Sequence, residues 1–135
     1  MSWYAAHLVM AVRLKSGRHK RVPIWENIVL IQADAEDDAF AKAEKRGRAD
    51  EGDDDGSFTW DGEPAAWQFA GVRKLTACEP FDRRPGHLAE VSYLEFELAS
   101  ESALERYIQG ESVELRSMDQ FAAAPANETV KRKLA

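Results

Sequence analysis

Between Trp3 and Leu14 the chain is apolar on both sides of an extended pleat. Tyr4, Ala6, Leu8, Met10, Val12 and Leu14 fall on one side; Trp3, Ala5, His7, Val9, Ala11 and Arg13 fall on the other. A strand half in water alternates apolar with polar, whereas one that is apolar on both sides is covered on both and is normally central. Ile24 to Ala33 repeats the pattern, with Trp25, Asn27, Val29 and Ile31 opposed to Ile24, Glu26, Ile28 and Leu30. Lys15 to Arg21 holds Ser16-Gly17 and four cationic side chains, which predicts a hairpin loop between the two strands. Pro23 lacks a ladder donor and suits the first position of the returning strand.

Helical spacing follows. Ala35, Ala39, Phe40 and Ala43 form a narrow apolar stripe, with Asp34 as the expected N-cap and Glu36, Asp37 and Asp38 at the positive end of the dipole. Lys42, Lys45 and Arg46 suit the other end, and Gly47 is the expected terminator. An acidic loop, Arg48 to Gly56, leads to a second hairpin, Ser57–Trp60 and Pro64–Ala77, across the turn dipeptide Asp61-Gly62. Along its second arm Trp67, Phe69, Gly71, Arg73 and Leu75 alternate against Ala66, Gln68, Ala70, Val72 and Lys74. Glu79 to Gly86 reads as a proline-bounded loop, and Glu90 to Leu98 as a strand with one wet face. Ser102 and Glu105 form a capping box for a short helix ended by Gly110, and Glu111 to Met118 is a last strand.

The predicted order is β-β-α-β-β-β-α-β. This is an α+β domain over residues 1–120, with a mostly antiparallel sheet of five or six strands and two short helices on one face. Residues 121–135 have no periodicity and are expected to form a flexible C-terminal tail. Two short helices cannot cover both faces of such a sheet. A second copy of the chain is therefore expected on the remaining apolar face, making a homodimer.

Composition narrows the function classes. Hydrophobic residues make up 44% and charged residues 31% of the 135, the balance of a folded chain. A net charge of −6 opposes a phosphate backbone, so no nucleic-acid partner is expected, and an acidic surface suits a basic protein partner. Cys78 is the one cysteine, so no intrachain disulfide can form, and its place beside an apolar run predicts an inert, partly buried thiol. No apolar run reaches the ~18 residues of a membrane span, and Trp3-Tyr4 opens without a basic leader. A cytoplasmic, membrane-free protein is expected.

The stretches WYAAHLVMAVRL, PIWENIVLIQADAEDDAFAKAEKRGR and AWQFAGVRKL resemble the domain of unknown function 4288, a family of small bacterial proteins. EVSYLEFELASESALERYIQGESVELRS is similar to that family's C-terminal half. The resemblance implies the architecture and a bacterial cytoplasmic setting. It carries no assigned activity and therefore no functional residues.

Candidate chemistry is sparse. Glu51, Asp53 and Asp55 before Gly56 mimic the first half of a calcium loop, and Asp61 lies beside the position of the missing final ligand. Glu stands where the first Asp belongs and a hairpin follows instead of a helix, so a solvated acidic loop is the plainer reading. The basic loop at Lys15, Arg18, His19, Lys20 and Arg21 suits an anion, and equally a charged hairpin tip that discourages edge aggregation. His7, His19 and His87 share no metal-ligand spacing, and no phosphate loop or nucleophile elbow occurs. No cofactor is implied.

The leading reading is a non-enzymatic protein-interaction module acting as a homodimer. The alternative is a small-molecule or divalent-ion binding domain, or an enzyme whose site is assembled from distant residues. For that alternative the first suspects are His7, Trp25, Trp67 and Arg73.

Overall fold

A computed structural model of the chain describes residues 1–18 and 21–118. The expected tail, 121–135, lies outside the described residues, as does His19 of the basic loop. The elements are β1 (Ser2–Leu14), β2 (Ile24–Ala33), α1 (Glu36–Ala49), β3 (Thr59–Trp60), β4 (Glu63–Ala77), β5 (Phe96–Glu97), α2 (Glu101–Ile108) and β6 (Arg116–Ser117). Their order is the expected one, and every strand pairing is antiparallel. The strands do not form one sheet of five or six. They divide into a four-stranded sheet ordered β2-β1-β4-β3 and a separate two-stranded sheet of β5 and β6. The chain likewise falls into two compact units, Met1–Ser92 and the residues from Tyr93 on.

In the first unit β1 is central, and the prediction of cover on both sides holds for it. Ala5, Ala6, His7, Leu8, Met10, Ala11 and Val12 are all buried. The same prediction fails for β2, which is the outer strand. Its Ile24, Trp25, Ile28 and Leu30 are between 43% and 56% exposed. An apolar pattern on both sides cannot by itself separate a central strand from an edge strand that waits for a neighbour.

The core forms where α1 lies on one side of the sheet. Tyr4, Ala6, Leu8, Ile31, Ala33 and Leu75 meet Ala39 and Ala43 of the helix, with Val29, Phe40, Phe69 and Val72 packed around them. Alanines on both surfaces let the helix backbone approach the sheet closely. The helix begins one residue later than expected, because Ala35, not Asp34, is its N-cap and offers no side-chain acceptor. Glu36, Asp37 and Asp38 still occupy its first turn, where they favour the dipole.

The expected stop at Gly47 is also displaced, since α1 runs on to Ala49 with Asp50 as its C-cap. Gly47 is needed for a different reason. A Cβ there would lie 2.3 Å from two ring carbons of Phe69. Phe69 thus rests on the bare backbone of α1, with the Arg48 guanidinium 5.7 Å from the ring centre. Replacing a helical glycine by alanine ordinarily gains about 1 kcal/mol. Here the ring must move, and we expect Gly47→Ala to cost about 1–3 kcal/mol instead, read by denaturant unfolding.

The second hairpin turns as predicted. Asp61 and Gly62 both have positive φ (53° and 77°), the conformation that matches strand twist in a two-residue turn. The strand expected over Glu90–Leu98 shrinks to Phe96–Glu97, and Glu90 instead makes an isolated bridge to Glu79. In the second unit α2 is capped by Ser100, whose hydroxyl accepts from Ala103 N–H at 3.1 Å, and not by Ser102. Gly110 follows its end at φ 83°, and the expected Glu111–Met118 strand narrows to Arg116–Ser117.

Candidate functional site

The sheet face opposite α1 carries a polar cluster built on three neighbouring strands. His7 sits on β1, where register places Ile28 of β2 and Lys74 of β4 directly across from it. Glu26 is two pairs further along β2, opposite Val9, and so on the same face as His7. On β4 the register slips twice, between His7/Leu8 and between Val9/Met10, leaving Arg73 and Ala70 as extra residues. Strict alternation puts Arg73 on the same side as Leu75. A bulge re-aims one residue, so Arg73 joins Lys74 on the His7 side while Val72, Phe69 and Leu75 all reach the core.

The geometry is a chain of hydrogen bonds. His7 Nδ1–H donates to Glu26 Oε2 at 2.7 Å, and Arg73 Nε–H donates to the same oxygen at 2.9 Å. Ser92 Oγ–H donates to His7 Nε2 at 2.5 Å. A carboxylate only accepts, so the Glu26 contact assigns the ring proton to Nδ1 and leaves the Nε2 lone pair facing Ser92. Backbone pairing of Glu79 N–H with Glu90 C=O at 3.1 Å pins the segment two residues before Ser92. His7 is fully buried, and Glu26 and Arg73 keep about a quarter of their side chains exposed. Burial pushes the imidazole below its ordinary range. The Glu26 hydrogen bond and charge oppose that shift, and the Lys74 and Arg73 charges add to it. Burial thus favours the neutral ring.

Of the four suspects named from sequence, the structure unites two pairs. His7 and Arg73 meet through Glu26, while Trp25 and Trp67 meet each other on the opposite face, with ring centres 5.0 Å apart and edge to face. Trp60 and Phe58 complete that aromatic group. An open cavity of about 540 Å³ shares Trp60 with that group and is lined besides by Val12, Leu14, Pro23, Arg18, Arg21, Asp61 and Glu63. Glu26 and Ser92 were missed. Glu26 is the sole charged residue of an apolar strand, which is a readable signal. Ser92 is 85 positions from His7, in a stretch that reads as a half-wet strand, and nothing in the sequence joins them.

The acidic positions are spent locally. Glu51 accepts from Phe69 N–H, and Asp53 pairs with Lys15 at 2.5 Å and accepts from Gly56 N–H. The Lys15 hydrogen bond holds the Asp53 carboxyl below its usual range. Asp55 and Asp61 sit at positive φ in turns. Among the described residues no three His, Cys, Asp or Glu side chains are grouped to hold a metal.

Cys78 is fully buried, and burial pushes its thiol upward. We expect Ellman's reagent to find no rapidly reacting thiol in the folded chain, and one equivalent once denaturant is added.

The chain matches the family described as Domain of unknown function (DUF4288) over residues 3–91. It belongs to that family. The DUF4288 match spans β1 through β4 and the polar cluster except Ser92, and leaves Phe96–Ser117 outside. No curated protein and no solved structure matches the chain. Among the described residues no helix is long and apolar enough to cross a membrane.

Proposed function

We propose that this DUF4288 chain is a protein-interaction module that pairs with a second copy of itself, β2 against β2. The observation that carries the reading is the character of the outer strand. Natural edge strands are guarded by shortness, by lysine, by proline or by an outward charge. β2 is ten residues long and contains neither lysine nor proline. Its single charge, Glu26, is committed to His7 and Arg73. Ile24, Trp25, Ile28 and Leu30 are left half in water.

Antiparallel pairing about a two-fold axis near the middle of β2 joins the two sheets into one of eight strands. With the axis at Ile28, that residue meets its own copy, and Leu30 lies diagonally across from Ile24 of the other copy. Partners other than a second copy would use the same edge, since β-strand addition is satisfied by any extended segment.

The test places the missing guards. Ile28→Lys together with Leu30→Lys puts lysines at two exposed positions where no core contact is lost. Sedimentation should show a dimer for the parent chain and a monomer for the variant, with the dimer dissociation constant raised by about 10²-fold or more. Thermal unfolding of the monomer should stay close to the parent's. A parent chain that sediments as a monomer at high concentration refutes the pairing.

A further inference from the structure

The Ser92–His7–Glu26 chain is assigned to nothing in the reading above, and it does not depend on pairing through β2. We propose that Ser92 is a nucleophile for acyl transfer, that His7 is its general base, and that Glu26 is a positioning residue. The substrate class is a small carboxylic ester with a short aliphatic acyl group. The order of contacts is that of a hydrolytic triad: hydroxyl to one ring nitrogen, carboxylate on the other.

Three features separate this arrangement from a histidine that is merely satisfied. The Nδ1–H is fixed by Glu26, which directs the Nε2 lone pair at the hydroxyl, and burial favours the neutral ring. Glu26 is in turn gripped by Arg73, so the orienting carboxylate is itself oriented. Ser92 is only partly buried, so the hydroxyl is reachable while the base behind it is dry. Arg73 and Lys74 lie close enough to influence His7 electrostatically, Arg73 from the Glu26 side of the ring. Ile28, directly across from His7 in register and half exposed, supplies an apolar wall for the acyl group.

The reaction balances with water as the sole co-reactant. Ser92 Oγ adds to the ester carbonyl carbon as its proton passes to His7 Nε2, and the carbonyl π electrons move to oxygen. Collapse restores the C=O and breaks the bond to the alcohol oxygen, which leaves with the proton from Nε2. Water, deprotonated by Nε2, then adds to the Ser92 ester. The second collapse releases the carboxylic acid and returns the proton to Oγ.

The probes are a fluorophosphonate, read by intact mass and peptide mapping, and p-nitrophenyl acetate, both on the full chain. We expect one phosphonyl adduct per chain, at Ser92, and its absence in Ser92→Ala. His7→Gln should slow labelling by about 10²-fold or more. Labelling of the parent should stay fast at pH values where an ordinary histidine is already protonated. Glu26→Gln serves if His7→Gln does not fold; it should lower kcat for the acetate with little change in KM and leave Ser92 as the labelled residue. The proposal is overturned if the folded parent takes no adduct, if the adduct lies elsewhere, or if neither His7→Gln nor Glu26→Gln alters the rate.

Discussion

Leu8→Ala should remove about 3–5 kcal/mol of stability, the largest loss from a single truncation in the first unit. Leu8 is fully buried at the middle of the central strand, inside the cluster that joins the sheet to α1. The cost of such a deletion depends on how far the surroundings collapse into the hole. Four members of this cluster, Ala6, Ala33, Ala39 and Ala43, are alanines with no length to extend into a cavity. The loss therefore belongs in the upper part of the range for leucine deletions. A domain of this size has about 5–15 kcal/mol in all, so the variant should unfold at a much lower denaturant midpoint. Leu88→Ala is the matched control. Leu88 is 89% exposed, and the same chemical change there should stay within about 0.5 kcal/mol. Equal losses at the two positions would mean that the core is not centred on β1.

The architecture was legible in the sequence wherever one local rule acted alone. The β1–β2 hairpin, the α1 stripe and the Asp61-Gly62 turn follow from side-chain period and turn chemistry, and the structure has each of them. Errors arose where a distant group decided the outcome. Gly47 looks like a helix terminator, but the ring of Phe69, 22 positions away in sequence, is what requires it. Arg73 looks like a core-side residue because alternation carries no record of a bulge. The polar cluster was half legible: His7 and Arg73 stood out as polar residues on apolar strands. Their common partner Glu26 reads as part of a strand face, and Ser92 falls in a stretch whose alternation gives no link to either strand.

The second large effect concerns that shared carboxylate, and it separates hydrogen bonding from charge. Glu26→Ala removes the one acceptor used by both His7 Nδ1–H and Arg73 Nε–H, leaving a buried ring donor unpaired. We expect a loss of about 1.5–3 kcal/mol, kept from larger values by the part of Glu26 that remains in water. Glu26→Gln offers a carbonyl oxygen with two lone pairs at the same place and should cost only about 1 kcal/mol. The pH dependence carries the rest of the argument. The folded imidazole sits below the ordinary value of 6.5, so between its folded pKa and 6.5 the unfolded chain binds more protons. Stability is then complete above pH 6.5 and falls as pH drops from there toward the folded pKa, below which this contribution is flat. His7→Gln should abolish that slope in unfolding free energies measured between about pH 5.5 and 7.5. Glu26 is the group that opposes the shift, through its hydrogen bond and its charge, whereas burial, Lys74 and Arg73 all act the other way. Removing it in Glu26→Ala pushes the ring lower still and extends the falling limb to more acidic pH. A slope that survives His7→Gln, or that flattens in Glu26→Ala, would mean the ring is not held neutral by burial.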